Sequence, residues 1–285
     1  MLLRKLIKET SFFCHDIVRL FLFPVYHLKG QYFRNEIIKE SDHLPICILG
    51  NGPSFVNIKK TFSNRSHFNL CTVNHSILTN EYFELRPEMH VFADPDIFDV
   101  NHPNNIKLYE VLERKINWPL ILYVPYGISK SSLLRIRKNK YIKIVRYSNV
   151  NIDLQSDLLT KIEYFLYKKG WAIPVAMNVI VACIYCCLNS GYEKVYLYGV
   201  EHSWMKYVSV NMNNEVCLED VHYYGATYRV WSNNSGIPFT MCSLYKNFHI
   251  LYKSYEKLKI YIDYLSSVSV INKTPDSFID TFPKE

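Results

Sequence analysis

Residues 45–60 read PICILGNGPSFVNIKK: an apolar run from Ile46 to Leu49 breaks directly into Gly50-Asn51-Gly52-Pro53-Ser54. A short unbroken apolar run bounded by turn residues is the pattern of a strand buried on both faces. Similar runs recur at 68–73, 90–93, 120–124, 142–146, 194–198 and 268–271. Helical spacing is found at 4–22, 104–115, 129–138, 154–168, 174–189 and 246–265. Strands alternating with helices predict an α/β fold with a mostly parallel sheet.

In such sheets ligands bind outside the carboxyl ends of the strands. The predicted strands end in polar residues suited to that place: Gly50 to Ser54, Asn74-His75, Asp94-Pro95-Asp96, Glu201-His202, and Asn272 to Ser277. Glycines at 50 and 52 would let the backbone approach a phosphate, with exposed N–H groups to hold it. A tight strand exit would use the same residues. The turn is neither GxGxxG nor a Walker loop, which argues against a dinucleotide enzyme or a P-loop ATPase.

Composition sets the outer bounds. The chain has 285 residues, 49% hydrophobic and 21% charged, enough for one substantial core. Its net charge of +7 is spread along the chain without a nucleic-acid-binding signature, so nucleic acid is not an expected partner. Most of the eight Cys lie in apolar runs, there is no pair of CxxC motifs, and no cleavable signal peptide is visible. Reduced core thiols in a cytoplasmic protein fit this usage. The cluster Cys183-Ile184-Tyr185-Cys186-Cys187 lacks flanking His and reads as core packing rather than a metal site. The uncharged stretch 171–188, interrupted by Pro174 and Asn178, reads as a helix buried between strands rather than a membrane span. Residues 1–43 form an expected helical appendage before an α/β domain at 44–285, and residues 201–245 form an expected irregular lid. The basic, aromatic N-terminus suits a helix lying on an anionic membrane surface, or one packed on the flank of the domain.

The ordered motifs resemble glycosyltransferase family 42, bacterial sialyltransferases that use a CMP-activated sugar. "ILGNGPSF" matches the family's turn after the first strand, "LCTVNHSIL" its second strand end, "VFADPDIF" its third, "GYEKVYLYGVE" a later strand, and "NKTPDSFI" its C-terminal stretch. The resemblance covers about residues 45–280. It implies a Rossmann-like, single-domain GT-A-like variant with a lid. It further implies nucleotide contacts from Gly50, Asn51, Gly52, Ser54, Asn74, Asp94, Asn178, Asn272 and Ser277. The expected partners are a nucleotide-sugar donor and a surface-glycan acceptor such as lipooligosaccharide or capsule, at the inner face of a bacterial membrane. A homo-oligomer is left open.

The departures fall on the side of the reacting sugar. The family's base is the second His of His-Tyr-x-Gly-His, and this chain reads His222-Tyr223-Tyr224-Gly225-Ala226. His222 and His202 are therefore the candidate bases, with Glu201 as an orienting partner or alternative base. Asp94 and Asp96 also spell the Asp-x-Asp of metal-dependent transferases, whereas the resemblance implies metal-independent chemistry. Similar opening motifs occur in motility-accessory glycosyltransferases and pterin-diphosphokinase-like proteins. A pterin diphosphokinase and a non-catalytic nucleotide-binding scaffold of polysaccharide assembly are the alternatives to a transferase.

Overall fold

The computed structural model describes residues 2–28, 44–58, 61–62, 67–100, 102–156, 158–232 and 236–285. Its strands are β1 (Ile46–Leu49), β2 (Asn69–Val73), β3 (Met89–Val91), β4 (Leu120–Pro125), β5 (Ile142–Tyr147), β6 (Lys194–Tyr198), β7 (Val208–Val210), β8 (Val216–His222), β9 (Gly225–Val230) and β10 (Ser269–Asn272). Seven of them form one parallel sheet in the order β10-β6-β1-β2-β3-β4-β5. The chain steps outward from β1 to β5 and then returns to place β6 on the other side of β1. That reversal makes β1 the topological switch point, where a crevice opens at the strand ends.

Helices cover the sheet: α1 (Leu2–Leu28), α2 (Phe55–Ile58), α3 (Asn80–Leu85), α4 (Pro103–Glu110), α5 (Lys130–Ile136), α6 (Thr160–Lys168), α7 (Val179–Asn189) and α8 (Met241–Leu265). Side chains alternate across β1. Ile46 and Ile48 pack into the cluster that holds α6, α7 and α8, while Cys47 and Leu49 pack with Phe55 and Phe62 on the other face. Both faces are therefore apolar, and so the strand reads as a continuous run. Cys183 and Cys187 of α7 meet Cys71 of β2 in this core, with the Cys71 and Cys183 sulfurs 3.2 Å apart. Burial holds the Cys71 and Cys183 thiols well above their usual range. No described helix is long and apolar enough to cross a membrane.

Two helices start later than the sequence pattern predicts. α7 begins at Val179 because Asn178 caps it, its Oδ1 accepting the N–H groups of Ile180 (2.8 Å) and Val181 (3.3 Å). The 154–168 pattern becomes helical only at Thr160. Upstream, the N–H groups of Gln155 and Ser156 donate to Asp16, and that of Leu154 donates to Glu163. Those donors are not available for a helix.

Asp16 belongs to α1, and its side chain is fully buried. Phe13, Leu20 and Phe23 join the main core on the same side. The opposite side shows Ile17, Val18, Phe21 and Leu22 to solvent, with Phe21 80% exposed. α1 is thus docked as part of the core, rather than standing apart as an appendage. The remainder of the 1–43 segment, residues 29–43, lies outside the described residues. Asp16→Ala is expected to lower stability by about 3 kcal/mol, because two N–H groups, that of Ser156 buried and that of Gln155 half-buried, lose a charged acceptor. A fall in the urea midpoint at unchanged slope would show this; an unchanged midpoint would mean that the docking is incidental.

Residues 201–245 are not irregular. They contain a three-stranded antiparallel sheet, β7-β8-β9, whose hairpin pairs His222 with Gly225, Val221 with Ala226, Asp220 with Thr227 and Leu218 with Arg229. Tyr223 pins this sheet over the strand ends. Its N–H donates to the Asn51 carbonyl (3.0 Å), its hydroxyl donates to Thr79 Oγ1 (2.9 Å), and its ring packs on Phe55.

Candidate active site

A cleft of about 630 Å³ opens where the strand ends, the start of α7 and the antiparallel sheet meet. This volume is in the range of small-molecule sites, about 300–1,000 Å³. Its floor takes Gly50, Asn51, Gly52, Asn74, Asp94 and Asn178; Glu201 and His202 stand at the end of β6, and His222 projects from the lid. Nine of the sequence-predicted residues are thereby brought together.

The glycines of the opening turn make the tight strand exit that was one of its two readings. The N–H of Gly50 donates to the Tyr198 carbonyl (2.7 Å), that of Gly52 to the Gly199 carbonyl (2.8 Å), and that of Ser54 to Glu201 Oε1 (2.7 Å). Those three N–H groups are taken and Pro53 has none, so the turn does not present a row of free donors. The glycines instead allow two backbones to cross. A Cβ on Gly50 would run into the Gly199 carbonyl oxygen, and one on Gly52 would land on Glu201 Oε2. Glu201 is a strut between the turn and β6. Its carboxylate is hydrogen-bonded to Ser54 and to neither imidazole, so the structure does not place it as an orienting partner for His202 or His222.

What the floor offers a ligand is side-chain amides. Asn51 Oδ1 and Asn178 Nδ2 are buried without a hydrogen-bond partner in the protein. Asn74 Oδ1 accepts the Ala93 N–H, which leaves the Asn74 NH2 group to the cleft. Asn74 and His202 also hold left-handed backbone, with φ of 45° and 49°, a strain that gathers at functional sites.

Three predicted residues do not line the cleft. Ser54 lies behind the turn. Asn272 is buried, accepting from the Thr274 N–H and donating to the Ile279 carbonyl, while Ser277 donates to the Val200 carbonyl. Their polar groups are used in tying the C-terminal loop to β6. The Asp-x-Asp does not converge either. Asp94 lines the cleft and caps a short turn by accepting the Asp96 N–H, and Asp96 is exposed away from it. Among the described residues, the only grouping of three metal-ligand side chains is the core cysteine cluster.

The lid adds residues that the sequence reading missed. Leu218, Asp220, His222 and Arg229 share one sheet face and line the cleft, joined by Trp204, Tyr207 and Trp231. Ala226 lies across from Val221, on the other face, and is exposed. Burial alone would raise the Asp220 carboxyl, but His222, Arg229 and the Trp204 indole together pull it below the usual carboxylate range. Burial pushes His75, at the end of β2, below its usual value.

His202 is buried, and burial takes its imidazole from the usual 6.5 down to about 3. Its Nδ1 lies 3.2 Å from the Tyr255 hydroxyl, and its ring packs on Trp204. A neutral imidazole this weakly basic is poorly matched to general-base work near neutrality. His90 is likewise held near 3 by burial; its Nε2–H donates to the Asn74 carbonyl and its Nδ1 accepts from Thr72. Between pH 6.5 and about 3 the unfolded chain binds protons at both positions and the folded chain does not. Their contribution to stability is therefore full above 6.5 and is lost as pH falls through that window. The urea midpoint is expected to drop between pH 7 and 4. A smaller drop in His202→Gln would assign part of it.

No family model matches the chain, and no curated protein does. Among solved structures, the chain is similar to the sialyltransferase CstII from Campylobacter jejuni in complex with a substrate analogue, cytidine-5'-monophosphate. Identity is 13%, covering 86% of this chain and 85% of that one, with a TM-score of 0.42. It is also similar to the monofunctional alpha-2,3-sialyltransferase Cst-I from Campylobacter jejuni, at 17% identity over 88% of this chain and 83% of that one, with a TM-score of 0.41. Likeness at this level decides no chemistry.

Proposed function

We propose that the protein is a glycosyltransferase that moves a sugar, sialic acid or a relative of it, from a CMP-linked donor to a surface-glycan acceptor. The observation that carries this is the cleft. Unpartnered amide groups of Asn51 and Asn178 lie on its floor at the topological switch point, and a lid brings His222 over them. The ordered motif resemblance gives the donor class. The floor binds the nucleotide; His222 takes the acceptor proton; the lid keeps water from the sugar.

A thermal-shift screen of CMP-, UDP-, GDP- and ADP-sugars and ATP tests the reading, since a ligand that binds only the folded chain raises its melting temperature. CMP-sugar is expected to give the largest shift. ATP with Mg²⁺ giving it instead would turn the reading to a diphosphokinase. Donor binding without transfer to any acceptor or to water would turn it to a scaffold. Asn51→Ala is expected to weaken nucleotide binding by about 1.5–3 kcal/mol in calorimetry; unchanged affinity would make the turn structural only. Transfer is proposed to be metal-independent, so EDTA is expected to leave turnover intact, and a complete loss reversed by Mn²⁺ would overturn that.

The outward ridge of α1 is proposed to rest on an anionic membrane. Residues 1–34 hold six Lys or Arg against two acids, one of which, Asp16, is buried. An apolar stripe beside basic residues is the chemistry of an interfacial helix. The pair Val18→Ser with Phe21→Ser is expected to lose flotation with phosphatidylglycerol-containing vesicles. Flotation equal to the parent would remove the ridge from this role.

A further inference from the structure

Asp220 and His222 stand two residues apart on β8, so they share the cleft face of the lid. His222 Nε2 lies 3.5 Å from Asp220 Oδ1. Asp220 Oδ2 lies 3.6 Å from an Arg229 guanidinium nitrogen. The His222 ring is stacked on Tyr224, with centroids 5.1 Å apart and planes 20° from parallel. The imidazole thus stands between an aromatic face and a carboxylate whose Oδ2 pairs with Arg229, while its Oδ1, buried and without a hydrogen-bond partner in the protein, faces Nε2. Of the other charged or titratable groups, Asp94 lines the same cleft, and His75, at the end of β2, feels the His222 charge.

We infer that Asp220 is the positioning residue of His222: it fixes the Nε2–H tautomer and leaves Nδ1 as the atom that accepts a proton from a ligand hydroxyl under the lid. An ionised carboxylate can only accept, so the nitrogen facing it carries hydrogen, and in a neutral imidazole the other nitrogen then has the lone pair. Against burial, His222 and the Arg229 charge together hold the Asp220 carboxyl below its usual range. This rests on the transferase reading for its chemistry. There, the acceptor oxygen bonds to the anomeric carbon of the donor as its proton passes to His222 Nδ1. The bond from that carbon to the nucleotide phosphate oxygen breaks, its electron pair staying on the phosphate. The proton later leaves His222 for water.

The tautomer can be read without any substrate. Long-range nitrogen–proton correlation spectra of the ¹⁵N-labelled full chain, compared with His222→Gln for assignment, are expected to show His222 as a single Nε2–H tautomer. Asp220→Asn is expected to give a mixture, and Asp220→Glu to restore the single form. A His222 that is Nδ1–H in the parent, or unchanged in Asp220→Asn, would overturn the inference; the parent spectrum alone decides the first point even if a variant fails to fold. In turnover, Asp220→Asn is expected to lower kcat by about 10²-fold with donor affinity unchanged, and Asp220→Glu to recover much of it. Equal losses in both variants with an intact tautomer would make Asp220 merely structural. If no donor binds at all, the transferase reading fails, while the tautomer result still stands on its own.

Discussion

Gly50→Ala is expected to lower the urea midpoint sharply. The added methyl group would run into the Gly199 carbonyl oxygen and lie 2.8 Å from Val200 Cγ1. The first of these obstacles is backbone, held in place by β1–β6 pairing and by the Gly50 N–H bond to Tyr198, so it cannot swing aside. Overpacking of this kind costs about 3 kcal/mol or more, which is a large share of a domain's stability. Gly52→Ala differs in kind. Its methyl would take the place of Glu201 Oε2, a side-chain atom, and lie 2.7 Å from the Gly199 carbonyl oxygen. Glu201 would have to withdraw and abandon the Ser54 N–H. Adding Glu201→Ala to Gly52→Ala should therefore return part of the lost stability, whereas adding it to Gly50→Ala should not. Gly127→Ala is the control, since its nearest neighbour is the Asn149 amide at 3.2 Å. If Gly50→Ala unfolds at the parent's urea midpoint, the two turns do not cross as closely as this argument requires.

The turn also shows what a sequence can carry. That it ends a buried strand was legible, because β1 is apolar on both faces and a parallel strand of this kind leaves an unbroken run. The same reason made β6 legible to the residue. That the glycines face the Gly199 turn rather than a phosphate was not legible, because Gly199 is far along the chain and only β1–β6 pairing makes them neighbours. Asn74 and Asp94 were placed at the cleft by the rule that ligands bind at strand ends, and Asn178 by the motif resemblance. The same rule placed Asn272 and Ser277 there, and missed that β10 is an edge strand whose polar end is consumed by the C-terminal loop. The lid failed for a different reason. β8 is half-buried and carries Glu219, Asp220 and His222, so its alternation is masked by polar residues that face a cleft rather than solvent. Its hairpin turns on Tyr223-Tyr224, without an Asn-Gly signal. Asp220, Arg229, Trp204 and Trp231 become site residues only because that hairpin folds back over the strand ends.

His222→Ala is expected to lower transfer by about 10²–10⁴-fold with little change in donor affinity, the signature of a lost general base. His202→Ala is expected to act on stability instead. The His202 ring is buried against Tyr255 and Trp204 and neutral at physiological pH, and the Tyr255 hydroxyl also donates to the cap of α7 at Asn178. Its removal should lower the melting temperature and change kcat by only a few-fold. The offset between His222 and Ala226 sharpens the test. The stretch is neither a helical turn nor an extended run of about 13 Å, as four residues of strand would span. It is a hairpin, in which Ala226 pairs with Val221 and His222 with Gly225. Cross-strand partners share a face, so Ala226 points away from the face that carries Asp220 and His222. A histidine installed by Ala226→His should therefore fail to rescue His222→Ala. Rescue would show that the hairpin register shifts on closing, and would return position 226 to the cleft. Loss of turnover in His202→Ala with near-normal turnover in His222→Ala would instead move the base to the end of β6.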